Sequence, residues 1–274
     1  MIDNKPGLQK IVFIGAGNMA EAIVRGMLGA RLLPKESIHI TDIDSGRLSH
    51  FANTYHVAGS NDNAKAVQGA DVVVLCAKPQ VLTDAMNGIK ESLSPDVLIV
   101  SIAAGVTTRT LESFFDEAMR VVRVMPNTPA LVGAGAGAFC CGTHATEEDA
   151  RFVEIMFNSV GMIIRLEEPL MDAVTALSGS GPAYVFYLVE AMLDAAREMG
   201  MEQETARALT IATVQGAASM LKETGLEPHE LRRRVTSKGG TTQAAIEVFQ
   251  KADVHKTISA ALKAAQVRSA ELSR

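Results

Sequence analysis

Cysteine is scarce in this sequence: Cys76, Cys140 and Cys141 are the only three in 274 residues. Two of them are adjacent, so they cannot frame a disulfide scaffold, and a reduced, cytoplasmic chain is the economical reading. A basic excess is also lacking. The formal net charge is −5, which argues against a broad nucleic-acid footprint. The apolar run from Ala183 to Val189 is broken by Glu190 and Asp194, short of the ~18 apolar residues that a membrane span needs. The opening MIDNKPGLQK has no apolar core, so no signal peptide is expected. Low-complexity tracts and fixed-period repeats are absent. What is present is 47% hydrophobic residues, enough to bury a real core in one or two domains.

The first half alternates strand and helix patterns. KIVFIGAG (Lys10 to Gly17) predicts a strand ending in glycines, with a helix over Asn18 to Ala30. Further strands are expected at Ser37 to Asp44, Asp71 to Ala77, Asp96 to Gly105 and Met119 to Pro126, with helices from Ser45, Pro79 and Thr107 between them. GAGAFCCG and GMIIRL add two more around a helix from Thr146 to Asn158. DVVVLCA has no polar alternation, as a strand covered on both faces should not. The pattern predicts an α/β fold with a mostly parallel sheet and helices on both faces. After Leu166 only helix patterns follow, over 168–178, 182–200, 201–224, 228–236 and 241–271. The composition shift puts a boundary at Glu167: residues 1–166 form the α/β domain and 167–274 an all-helical one.

GAGNMA, Gly15 to Ala20, fits the G-x-G-x-x-G/A fingerprint. Gly15 permits the tight turn, Gly17 lets backbone approach a pyrophosphate, and Ala20 lets the helix pack closely. Asn18 and Met19 open the helix, whose free N–H groups suit phosphate. Asp42 ends the second strand, where an acid can accept both ribose hydroxyls of NAD and repel the 2′-phosphate of NADP. Arg47 nearby could offset that charge, and helix capping is the other reading of the acids Asp42 and Asp44. Both NADH and NADPH therefore stay open.

An acid–base residue is conspicuously missing. Carbonyl reduction by hydride needs a proton donor at oxygen, usually His, Tyr or Lys. None of the six histidines lies in a glycine-rich or strand-end segment, and no Tyr-x-x-x-Lys pair exists. Cys140, Cys141 and His144 are close, but no second ligand cluster completes a metal site. Reduction of a C=N bond resolves the gap, because an imine nitrogen arrives protonated. The protein then has to hold the ring and anchor a carboxylate, which suits N–H groups, hydroxyls and glycine turns.

FIGAGNMA, CAKPQ, SIAAGV, RVMPNTPA, DAVTALSGSGPAYVF and VTSKGGTTQAA occur in this order, and together the sequence resembles the pyrroline-5-carboxylate reductase family from about residue 11 to 270. The resemblance implies NAD(P)H-dependent reduction of a cyclic imine to proline, a Rossmann domain, and a helical domain that makes an interleaved homodimer able to assemble into decamers. It places Ala77, Lys78 and Pro79 along the cofactor cleft, Ala103, Ala104 and Gly105 at the nicotinamide end, and Asn127 and Thr128 near the ribose or amide. Lys78 also reads as a solvent lysine, and Asn127 as turn chemistry. Ser178, Gly179, Ser180 and Gly181 would break a helix so that backbone approaches substrate, with a plain helix–helix corner as the alternative. Ser237, Gly239, Gly240, Thr241 and Thr242 match the loop that binds the substrate carboxylate. Thr242 is the candidate for the ring nitrogen and Ser237 for the carboxylate. Lys238 departs from the family's usual proline, which puts loop rigidity in doubt. Two other readings are a β-hydroxyacid dehydrogenase and a non-catalytic NAD(P)-binding protein. The first needs a catalytic lysine after a glycine turn, and residues 178–190 contain none. The helices over 182–200 and 201–223 are apolar on more than one face, so they need a partner surface.

Overall fold

Continuous β-branched runs become strands when both faces are covered, and the first half of the chain is built this way. A computed structural model describes residues 8–115 and 118–272. Among the described residues, strands β1 (Ile11–Ile14), β2 (Ile38–Thr41), β3 (Ala58–Ser60), β4 (Val72–Leu75), β5 (Leu98–Ser101), β6 (Arg120–Met125), β7 (Gly135–Cys141) and β8 (Gly161–Arg165) form one sheet. Its order is β3-β2-β1-β4-β5-β6-β7-β8. Every neighbouring pair is parallel except β6 with β7. That reversal follows from the link, a 3-10 turn at Thr128–Val132 instead of a crossover helix.

Helices α1 (Asn18–Gly29), α2 (Ser45–Tyr55), α3 (Asn63–Val67), α4 (Pro79–Ile89), α5 (Thr108–Glu112) and α6 (Glu147–Asn158) connect the strands. Successive residues of one strand enter opposite cores. Ile11, Phe13, Val72, Val74, Leu98 and Val100 pack on one face, and Val12, Ile14, Val73, Leu75 and Ile99 on the other. Each buried Val, Leu or Ile contributes about 1.5–3 kcal/mol, so the central strands are over-determined in register. Start signals hold locally: Thr146 and Asp149 form a reciprocal capping box before α6, and Thr107 caps α5. Strand β3 and helix α3 were not expected. The three residues of β3 are exposed or half-buried and include a glycine, so they carry no hydrophobic signal.

The chain divides into two compact units, Met1–Ser180 with Ala265–Arg274, and Gly181–Ala264. In the first, α7 (Met171–Val174) runs into a π-helical turn at Thr175–Gly179. The second contains α8 (Gly181–Glu198), α9 (Gln203–Thr224), α10 (Pro228–Arg234), α11 (Thr241–Lys251) and most of α12 (Val254–Leu272). The single helix expected over 241–271 is two, because Asp253 adopts a left-handed conformation (φ 50°) after the end of α11. Large apolar side chains stand in the open on this unit, among them Phe186 and Tyr187 of α8, Leu209 and Ile211 of α9, and Val248 and Phe249 of α11. Among the described residues, no helix is long and apolar enough to cross a membrane.

Candidate functional site

The glycine turn after β1 is held from several sides. Gly15 has φ +103°, and a Cβ there would meet the Cys76 backbone at 3.0 Å, so only glycine lets the ends of β1 and β4 approach this closely. Its N–H donates to Thr41 O at 2.8 Å. The Ala16 N–H donates to Asp42 Oδ2 at 2.7 Å, and Arg47 Nε donates to Ala16 O at 2.6 Å. Gly17 is the N-cap of α1 without any side-chain cap, and a Cβ on it would stand in open space. The start of a twelve-residue helix thus faces an uncrowded approach with donors aimed outward. Asn18 is exposed, Met19 is half-buried, and Ala20 is buried against the sheet. These residues fit a dinucleotide pyrophosphate.

Asp42 sits beside this turn. Its Oδ1 accepts the Asp44 N–H at 2.9 Å, while Asp44 caps α2 through Gly46 and Arg47 N–H. The capping role therefore falls to Asp44, and the Asp42 carboxylate is tied to the glycine turn itself. Glu21, in the first turn of α1, was not anticipated. It receives Arg47 Nη2 at 2.7 Å, His50 Nε2 at 2.8 Å and the Tyr55 hydroxyl at 3.0 Å. Burial alone would raise its carboxyl pKa, but the hydrogen bonds from His50, Arg47 and Tyr55 outweigh it and hold it at about 2. An acid in the first turn of the fingerprint helix, with Arg, His and Tyr on the next helix, was the signal available in sequence.

Ala77 is half-buried beside the Gly15 turn, and Lys78 is exposed as the N-cap of α4. Pro79 opens α4, and its side chain lies outside the described residues. Ala103 and Gly105 are buried and Ala104 half-buried. Gly105 has φ +75°, and a Cβ there would meet Leu272 of α12 at 2.9 Å. Thr128 is exposed. The Asn127 side chain is 7% exposed and bridges two elements: Nδ2 donates to Ser178 O at 3.0 Å and Oδ1 accepts the Ala136 N–H at 2.9 Å. Its amide braces β7 against the π turn.

The helix expected to break at Ser178 to Gly181 is interrupted at one residue: Thr175–Gly179 is a π-helical turn, Ser180 is a bend, and α8 begins at Gly181. The Ser180 N–H reaches back five residues to Thr175 O at 2.8 Å, and Ser178 Oγ donates to Val174 O. Glycine at 179 lets the Met125 side chain lie where a Cβ would stand. A π turn, a feature frequent at functional sites, thus precedes the interruption at Ser180. In the second unit, Gly239 takes φ +72°, its N–H donates to Gln243 Oε1 at 2.7 Å, and the Gly240 N–H donates to Ser237 O at 3.0 Å. Gly240 is the N-cap of α11, again without a side-chain cap. Ser237 and Thr241 are exposed and Thr242 is half-buried. Gln243 braces this turn, which also contains Lys238. Among the described residues, no group of three or more His, Cys, Asp or Glu could hold a metal ion.

Residues 168–272 match the family model for pyrroline-5-carboxylate reductase dimerisation, and residues 10–105 that for NADP oxidoreductase, coenzyme F420-dependent. A pyrroline-5-carboxylate reductase of Pseudomonas aeruginosa is 43% identical over 96% of this chain and 97% of its own. The solved structure of a pyrroline-5-carboxylate reductase from Coxiella burnetii superposes with a TM-score of 0.90 at 38% identity, covering 98% of this chain and all of that one. That of the Plasmodium falciparum pyrroline carboxylate reductase, with NADP bound, gives 0.88 at 29% identity over 98% of this chain and all of that one. With the glycine turn, the second turn before α11 and the near full-length identity in agreement, the chain belongs to the pyrroline-5-carboxylate reductase family.

Proposed function

We infer that this chain is an NAD(P)H-dependent oxidoreductase that reduces the cyclic imine 1-pyrroline-5-carboxylate to L-proline, the last step of proline biosynthesis. The observation that carries the reading is a pair of uncapped helix starts, each behind a glycine turn: Gly17 before α1 and Gly240 before α11. The first suits a pyrophosphate and the second a carboxylate.

A reduced nicotinamide held by these residues would supply the hydride for the imine carbon. The imine nitrogen carries its own proton, so no titrating side chain has to deliver one. The Thr242 hydroxyl oxygen accepts the ring N–H, while the Ser237 hydroxyl and the N–H groups at Thr241 and Thr242 hold the carboxylate. Gly15, Gly17, Asn18, Met19 and Ala20 take the pyrophosphate, and Asp42 the ribose. Ala77, Lys78 and Pro79, Ala103 to Gly105, and Asn127 and Thr128 frame the rest of the cofactor, with Asn127 acting through the π turn it braces. Ser178 to Gly181 carry the ring-facing backbone. In functional terms, residues 1–166 bind the dinucleotide and 167–274 bind substrate and dimerise.

The working species is a homodimer formed through residues 168–274 and able to assemble further into a decamer. Support comes from the dimerisation family match and from the exposed Phe186, Tyr187 and Leu209. Three free cysteines suit a reducing cytoplasm.

Mixing the protein with pyrroline-5-carboxylate and NADH or NADPH should deplete nicotinamide absorbance and yield proline by amino-acid analysis. Cofactor binding without turnover would leave a dinucleotide-binding protein and overturn the reading.

A further inference from the structure

Beyond a glycine turn, the ribose of a dinucleotide meets the end of the second strand and the start of the next helix. A carboxylate there favours a 2′-hydroxyl, and a cation favours a 2′-phosphate. This chain has both, Asp42 and Arg47, but their settings differ. Asp42 is fixed by the Ala16 and Asp44 N–H groups, one on each oxygen, and each oxygen keeps a further lone pair for a hydroxyl donor. Arg47 is turned under the glycine turn. Its Nε donates to Ala16 O, its Nη2 pairs with Glu21 Oε2 at 2.7 Å, and its guanidinium carbon lies 5.6 Å from the Phe51 ring centroid. Glu21 is itself immobilised, with His50 and Tyr55 both on its other oxygen.

We propose that Glu21 selects the cofactor: by pairing with Arg47 it withholds the guanidinium from a 2′-phosphate, leaves Asp42 uncompensated at the ribose, and makes this chain bind NADH in preference to NADPH. The proposal rests on the reductase reading for the cofactor class. Glu21 is a positioning residue here, since it acts through Arg47. A phosphate monoester brings about −1.5 to −2 charge, which must sit beside the Asp42 carboxylate while Arg47 is held on Glu21 and Ala16. A purely structural Glu21, stabilising the start of α1, would weaken both cofactors alike when removed.

The test is calorimetric titration of the full chain with NADH, NADPH, ADP-ribose and 2′-phospho-ADP-ribose. The last two lack the nicotinamide and report the ribose end alone. For the parent, the unphosphorylated member of each pair should bind tighter by about tenfold or more. Glu21→Ala and Glu21→Gln should each shift the ratio toward the phosphorylated member, by about fivefold in the alanine variant, and adding Arg47→Ala should abolish the gain. If Glu21→Ala fails to fold by circular dichroism, the isosteric Glu21→Gln supplies the ratio. A parent that binds NADPH as well as NADH, an unchanged ratio in the Glu21 variants, or a gain that survives Arg47→Ala would each overturn the proposal. None of these results touches the reductase reading, which fails separately if the parent turns over pyrroline-5-carboxylate with neither cofactor.

Discussion

Arg123 occupies an inward position of β6 in register with Ser101 and Cys140, and its side chain is 3% exposed. Its Nη1 pairs with Glu168 Oε1 at 3.2 Å, and its Nη2 has no partner among the described residues. Glu168 is better served: its side chain is 27% exposed, and it accepts the Thr108 N–H at 2.8 Å and the Thr108 hydroxyl at 2.6 Å. The two halves of this ion pair should therefore respond unequally. Glu168→Ala leaves a guanidinium buried without counter-charge, which costs about 3–5 kcal/mol. Arg123→Met removes the buried charge, keeps apolar volume, and leaves a carboxylate still hydrogen-bonded and partly in water. The loss there is about one charge-assisted hydrogen bond, 1–2 kcal/mol, offset by relief of desolvation. The double variant should lie nearer to Arg123→Met than to Glu168→Ala. Both residues lie in the first unit, so its urea transition, followed by circular dichroism at one fixed protein concentration, is the assay. If Arg123→Met is as damaging as Glu168→Ala, the account of an under-satisfied buried cation is wrong.

Other expectations follow from the same geometry. Thr242→Ala should lower kcat/KM about ten- to a hundredfold, the cost of one hydrogen bond to a charged group, while substituting each of the six histidines leaves turnover within about a few-fold; steady-state kinetics on folded, cofactor-binding variants decides, and a histidine variant slowed about a thousandfold would refute this. Asp42→Ala should weaken NADH relative to NADPH, read as the ratio of the two kcat/KM values, and an unmoved ratio removes Asp42 from the ribose. The Glu21 carboxyl lies below its ordinary value, so its network stabilises the fold fully above pH 4.5 and that contribution fades as pH falls toward about 2. The full shift is worth ~3 kcal/mol, reduced to about 1–2 by solvent at the rim. Unfolding free energies between pH 7 and 3 should accordingly fall more steeply for the parent than for Glu21→Gln, and parallel curves would count against the network.

The sequence by itself determined the strand order of chemistry along the chain. Unalternated runs such as DVVVLCA specified doubly covered strands, and GAGNMA and TSKGGTT marked where helices begin without caps, because Gly and apolar periodicity act locally. The missing acid–base residue pointed to an imine for the same reason: residue types are visible without a fold. Tertiary structure decided whatever depends on pairs distant in sequence. Glu21 meets Arg47, His50 and Tyr55 only because α1 and α2 lie together. Asn127 reaches Ser178 fifty-one residues on, and that contact belongs to the β6–β7 reversal. The stretch Ser178 to Pro182 looked like a break because two glycines and a proline lower helix propensity. The interruption falls at Ser180 alone, after a π turn in which Gly179 packs on Met125, a detail set by a tertiary contact that propensity does not register.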